Sequence, residues 1–260
     1  MPRLYVFMGP MYSGKTSEML RAVRAARQSG AFTTDDGVRK LTVARSRMDT
    51  RSPPGAVVSR DGLEERGEHV LVVDSLDELE VVPGGMVACD EAQFFGDGSL
   101  LRLWERVAAQ QGALLVSGLD RDFRGRPFGD VLALSRLHLG DAAVGSGAAG
   151  DALVEVRRLV SRCAVCGSAG ALTARVSGAT PAWLEEFGPG KAGRSPRCPH
   201  EPSAPIKSQQ VVVGDRETYR AVCSQHHAGG LLVRATADPE SPLLGSADGA
   251  VLFHGSGERV

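Results

Sequence analysis

The first apolar run of the chain is short. Leu4, Tyr5, Val6 and Phe7 stand between Arg3 and the Met8–Gly9 step, and predict a brief strand. After residue 16 the period changes: Met19, Leu20, Val23 and Ala26 recur at three- and four-residue intervals, which predicts a helix over 16–29 with Gly30 as its stop. Apolar runs at 41–44, 70–73, 86–89 and 114–116 read as further strands, and 100–111 reads as an amphipathic helix between the last two. Strands alternating with helices imply a parallel sheet joined by crossovers. The second half loses this rhythm. Residues 142–150, AAVGSGAAG, are a small-residue stretch suited to a linker, 177–208 are rich in Gly, Pro and Ser, and 238–260 are weakly patterned. The expected fold class is α/β: a first domain with a mainly parallel sheet over 1–158, a small module over 159–230 and a flexible tail over 231–260. No internal repeat is visible.

Composition narrows the function. At 260 residues, with 42% hydrophobic and 23% charged residues, the chain suits a soluble globular protein with a full-sized core. A net charge of −1 provides no global positive field for nucleic acid. The run at 4–7 is too short for a signal peptide or a membrane span. Five cysteines, two of them spaced as Cys163-x-x-Cys166, then point to metal binding or redox work and not to a disulfide framework. The expected location is the cytoplasm, with no nucleic-acid or membrane partner.

The segment GPMYSGKT, from Gly9 through Pro10, Met11, Tyr12, Ser13, Gly14 and Lys15 to Thr16, matches G-x-x-x-x-G-K-[ST] between a predicted strand and a predicted helix. Main-chain N–H groups at such a turn and the helix N-terminus attract phosphate, Lys15 would reach the β/γ-phosphates, and the Thr16 hydroxyl would ligate Mg²⁺. The fate of the phosphate lies elsewhere, in VACDEAQFF at 87–95. Asp90 ends an apolar strand where a metal-linked carboxylate is expected, and Glu91 follows it. A motor or switch uses the second acid to orient water, whereas a kinase uses it to take a proton from an acceptor hydroxyl. Phe94 and Phe95 beside these acids read either as a pocket wall or as packed core.

Cys163-x-x-Cys166 and Cys223-x-x-His226 form two knuckle-like pairs, a Cys₃His set suited to a tetrahedral, structural Zn²⁺. A redox Cys-x-x-Cys competes, but no helix pattern follows it and Cys223 is left without a job. His227 is the alternative histidine ligand in another register. Cys198 and His200, in RSPRCPHEP at 194–202, form a further possible pair, and Cys89 inside a strand reads as inert core.

GPMYSGKT, DEAQFF, GLDRDFRGRPFG at 118–129 and QVVVGDRETYRAVC at 210–223 together resemble the type II thymidine kinases, in family order across about residues 3 to 230. The resemblance implies a phosphate-loop core with a zinc-ribbon and lasso module. It also implies transfer of the γ-phosphoryl of ATP to the 5′-hydroxyl of thymidine, giving dTMP. By position, it makes Glu91 the general base and sets Asp90, Glu91, Ala92 and Gln93 beside the nucleotides. Met11, Phe94, Leu119, Phe123 and Phe128 would form the slot for the thymine ring. Tyr219, and the backbone of Gln210, Val211, Val212 and Val213, would approach from the lasso that zinc anchors. Asp49 and Arg51 match a pattern near the acceptor site, with a solvated turn as the plain alternative, and SRDGL at 59–63 reads as loop structure. Feedback inhibition by dTTP and a homotetramer are further implications. Extra residues between Val176 and Gln210, and the long 142–150 stretch, depart from the family pattern.

Overall fold

The computed structural model describes residues 1–32, 40–96, 98–139, 152–177 and 219–227, together with the backbone of four short strands after residue 230. The 142–150 linker, the 178–208 stretch with Cys198 and His200, and Gln210, Val211, Val212 and Val213 lie outside the described residues. The chain divides into two bodies: Met1–Asp122 with Arg126–Val160, and Phe123–Gly125 with Ser161–Val260.

The first body starts with β1 (Arg3–Met8) and α1 (Lys15–Gln28), followed by β2 (Leu41–Ser46), β3 (Ala56–Val58), β4 (Glu64–Arg66), β5 (Val70–Val73) and β6 (Met86–Asp90). It continues with α2 (Ser99–Ala109), β7 (Ala113–Gly118), α3 (Val131–Ser135) and β8 (Leu153–Arg158). Six strands form one sheet in the order β5-β2-β6-β7-β1-β8, and every pairing in it is parallel.

Side-chain alternation explains the layers. On β1, Phe7 faces a cluster with Met19, Leu20 and Val23 of α1, whereas Leu4 and Val6 face a cluster with Leu100, Leu103, Trp104 and Val107 of α2. On β7, Leu115 joins the first cluster, and Leu114 and Val116 join the second. A sheet covered on both faces asks for unbroken apolar strands, which is why these runs do not alternate with polar residues. The antiparallel hairpin β3–β4 adds Val57 to the α1 side. The predicted strands and helices are present with ends within two residues of those expected, while β3, β4, β8 and α3 were not foreseen. β8 is an edge strand with no fully buried side chain, so its apolar signal is weak.

The second body holds β9 (Ser161–Arg162), β10 (Ala169–Gly170), β11 (Leu172–Ser177), β12 (Tyr219–Val222), β13 (Leu231–Arg234) and β14 (Leu243–Leu244). β9 and β10 pair as a hairpin, and the other four form a sheet in the order β12-β11-β13-β14. β15 (Ser246–Ala247) and β16 (Ala250–Val251) pair antiparallel, so four stretches of the segment expected as a tail form strands. Its small core gathers Cys163, Ala174, Val222 and Cys223.

Candidate active site and metal centre

The 9–16 loop leaves the carboxyl end of β1 and winds into α1. Gly9 has φ +147°, and a Cβ there would lie 2.2 Å from the Leu159 carbonyl oxygen, so only glycine fits. Tyr12 adopts φ +65°, uncommon for a residue with a side chain. Lys15 folds back over this loop and donates to the Pro10 carbonyl at 2.6 Å, and the Ser13 hydroxyl donates to the same oxygen at 2.9 Å. Burial pulls the Lys15 ammonium down to about 8, although Glu91 and Asp90 pull the other way. The Thr16 hydroxyl lies 3.0 and 3.3 Å from the two Asp90 carboxylate oxygens.

Asp90 and Glu91, at the end of β6, have unlike surroundings. Burial, and then the adjacent Glu91 charge, lift the Asp90 carboxyl well above the usual carboxylate range, while Ser117, Arg51 and Thr16 work against the lift. Burial acts on Glu91 in the same direction, but the Arg51 guanidinium and the Lys15 ammonium outweigh it and hold Glu91 below its ordinary value. Glu91 also sits at φ 48° and ψ 42°, a left-handed backbone that costs energy at a residue with a side chain and is kept only where neighbours enforce it.

Those neighbours are identifiable. One Glu91 oxygen pairs with Arg51, and the other accepts from the Gln93 amide at 2.5 Å. The Gln93 carbonyl oxygen accepts from the Leu119 N–H at 2.9 Å, which fixes the orientation of the amide. Gly129 packs against the Gln93 backbone so closely that a Cβ would come within 2.6 Å of its carbonyl oxygen. Arg51 in turn donates to buried Asp49 through Nε at 2.8 Å and through its main-chain N–H at 3.2 Å. Asp49 and Arg51 are therefore part of the acidic site and not a solvated turn.

The two phenylalanines divide their roles. Phe95 is core, while Phe94 meets Phe128 edge to face with centroids 6.0 Å apart. Met11 and Leu119 are half-buried in the same body, Leu119 directly after β7, and Ala92 is fully buried there. In the second body, the Phe123 and Tyr219 rings lie 6.3 Å apart.

The 59–63 segment, a plain loop by its sequence, ties α1 to the 9–16 loop. The Ser17 and Ser59 hydroxyls both donate to one Asp61 oxygen at 2.5 Å, and Arg21 donates to the other at 3.1 Å. Arg60, between them, lies 4.4 Å over the ring of Tyr12 in the 9–16 loop. Serine and charge have no period of their own, so no pattern signals such a clasp. Ser117, which bonds Asp90, was missed for the same reason.

In the second body, Cys163 and Cys166 lie in the β9–β10 turn, and Cys223 and His226 follow β12. Their ligand atoms all lie within 4.8 Å of one another. Cys163 Sγ and His226 Nδ1 are 3.7 Å apart, Cys166 and Cys223 Sγ 3.9 Å, and Cys223 Sγ and His226 Nδ1 3.1 Å. A tetrahedral cation about 2.3 Å from sulfur and 2.0 Å from nitrogen would give edges of about 3.5–3.8 Å, so the cluster could hold a zinc ion. Hydrogen bonds from Ser168 bring the exposed Cys166 thiol down to about 6, toward the thiolate that a metal needs. His227 is not in the cluster: its Nε2–H faces the carbonyls of Phe123 at 2.8 Å and Thr173 at 3.2 Å.

The first body is thus a parallel α/β enzyme-like core whose strand ends gather a lysine, a hydroxyl and two unlike carboxylates. Residues 2–144 match the model of the family described as thymidine kinase. The chain is 31% identical over 226 residues to a thymidine kinase of Coprothermobacter proteolyticus, covering 86% of this chain and 89% of that one. It is 28% identical over 222 residues to a thymidine kinase of Mycoplasmoides gallisepticum, covering 84% and 78%. The chain belongs to the thymidine kinase family.

Proposed function

We propose that this chain transfers the γ-phosphoryl group of ATP to the 5′-hydroxyl of thymidine, giving dTMP and ADP. Family membership supports the reaction, and one observation carries the assignment of roles: adjacent carboxylates at one strand end, with Asp90 on the Thr16 hydroxyl and Glu91 held ionised by Arg51. The 9–16 loop, as a phosphate loop, cradles the β- and γ-phosphates with main-chain N–H groups while Lys15 swings from Pro10 to meet them. Thr16 and Asp90 would hold Mg²⁺, which would neutralise charge on the phosphates during transfer. Glu91 accepts the 5′-hydroxyl proton as that oxygen attacks phosphorus, and Arg51 and Gln93 keep its carboxylate aimed.

In the first body, Met11, Phe94, Leu119 and Phe128 supply apolar and aromatic surface of the kind that a flat, methylated pyrimidine favours. Zinc on Cys163, Cys166, Cys223 and His226 is structural, because four protein ligands leave no position for a reacting water. dTTP, which carries both the base and a triphosphate, would act as a feedback inhibitor, and a cytoplasmic homotetramer is the working form. Among the described residues, no helix is long and apolar enough to cross a membrane. The test is to incubate the chain with MgATP and each natural nucleoside in turn. A 5′-monophosphate should form with thymidine and not with purine nucleosides, and steady ATP hydrolysis with no nucleoside present would replace this reading with an ATPase.

A further inference from the structure

Arg45, near the end of β2, is 4% exposed, and its Cα stands opposite that of Asp90 across the β2–β6 ladder. It shares a strand face with Leu41 and Val43, which belong to the apolar cluster under α1. A guanidinium there must leave water, which is costly without strong partners. Its hydrogen bonds all run to main-chain carbonyls: Nε to Ala56 at 3.1 Å, one terminal nitrogen to Asp49, and the other to Ser52 at 3.0 Å and Pro53 at 3.1 Å. The Asp49, Ser52 and Pro53 carbonyls come from the irregular stretch between β2 and β3, which also carries Arg51, and the Ala56 carbonyl from the first residue of β3. A planar fork of five donors can hold four separated carbonyls in a fixed geometry, a spread that the compact, three-donor ammonium of a lysine does not match and an apolar side chain lacks altogether.

We infer that Arg45 is a positioning residue for Glu91: its buried guanidinium sets the 49–53 backbone so that Arg51, braced on Asp49, reaches the Glu91 carboxylate. The inference rests on the reading of Glu91 as the base. A chain of contacts carries it: Arg45 to the Asp49 carbonyl, the Asp49 carboxylate to Arg51, and Arg51 to Glu91. Arg45 touches no reacting group itself. Its effect on the reaction runs through the place where Arg51 stands.

The test is a double-mutant cycle on the full chain with Arg45→Lys and Arg51→Met, following dTMP formation alongside thermal unfolding. Arg45→Met would strip every donor from the stretch and cost folding stability as well, so kinetics are read on Arg45→Lys, which keeps charge and length but loses the fork. Arg45→Lys is expected to lower kcat about ten- to a hundredfold, the scale of a misplacement of about 1 Å, with the KM for ATP within about twofold of wild type. Added to Arg51→Met, it should cost less than about twofold more, because both changes break one connection. Losses that multiply in the double variant, or an Arg45→Lys chain that keeps more than half its kcat, would overturn the inference. So would an Arg45→Lys chain that no longer folds, since the residue would then support the whole body and not one side chain. A wild-type chain that makes no dTMP would instead bring down the functional reading, so the two failures are distinct.

Discussion

The strand-end site of the first body and the Cys/His cluster of the second are both gatherings of polar atoms, yet they are built on opposite plans. In the cluster, four ligand atoms turn inward on one another and lie within 4.8 Å. At the strand ends, the groups are held from behind: Glu91 by Arg51 and Gln93, Asp90 by Thr16 and Ser117. The Glu91 side chain keeps 13% of its surface exposed, and its backbone is strained. A closed set of ligands serves stability, and a braced but reachable acid serves chemistry.

The comparison breaks most severely on the metal. Structural zinc contributes on the order of 10 kcal/mol of apparent folding free energy in small modules, so Cys163→Ser or Cys223→Ser should unfold the second body while the first still binds ATP. Metal analysis and hydrogen exchange over 161–177 would read this out, and full protection without bound metal would refute it. Next in size is Glu91→Gln. Loss of a general base costs roughly 10²–10⁴-fold in rate, with ATP and thymidine affinities retained. A variant with half of wild-type turnover would remove Glu91 from the reaction.

Two smaller effects sharpen the contrast. Arg60 stacks on Tyr12, and an exposed cation–π contact is worth about 0.5–1 kcal/mol. Arg60→Ala should therefore raise the KM for ATP about two- to fivefold and leave kcat unchanged, because the stacking steadies the 9–16 loop. A fall in kcat with KM unmoved would give Arg60 a different job. Smallest of all is Cys198→Ser with His200→Ala, for which one metal per chain should remain. Loss of the metal would mean that these two residues are ligands.

The alternation of strands and helices, the acidic strand end and the cluster of three cysteines and a histidine were legible because each has a spacing. Phe7 and Val6 advertise two covered faces, and Cys163-x-x-Cys166 advertises a turn. Arg45 was not legible. A charged residue at a strand end reads as solvated, and only the path of 47–55 around it makes it interior. β8 escaped because an edge strand buries little. The Asp49–Arg51 pair was visible as a motif but ambiguous, since a turn and a brace share one sequence until Glu91 is set beside them.

The pairing of β8 with β1 has a consequence for the order of events during synthesis. Arg3 pairs with Leu153, and 150 residues separate them. At 5–20 residues per second, β1 waits roughly 8 to 30 seconds before its outer neighbour is made. Until then, one edge of β1 is open to any strand that passes. The carbonyl of Leu159, which a Gly9 Cβ would strike, and the Leu159 N–H, which donates to the Met8 carbonyl at 2.8 Å, arrive only with that last strand. The 9–16 loop is made long before the segment that backs it.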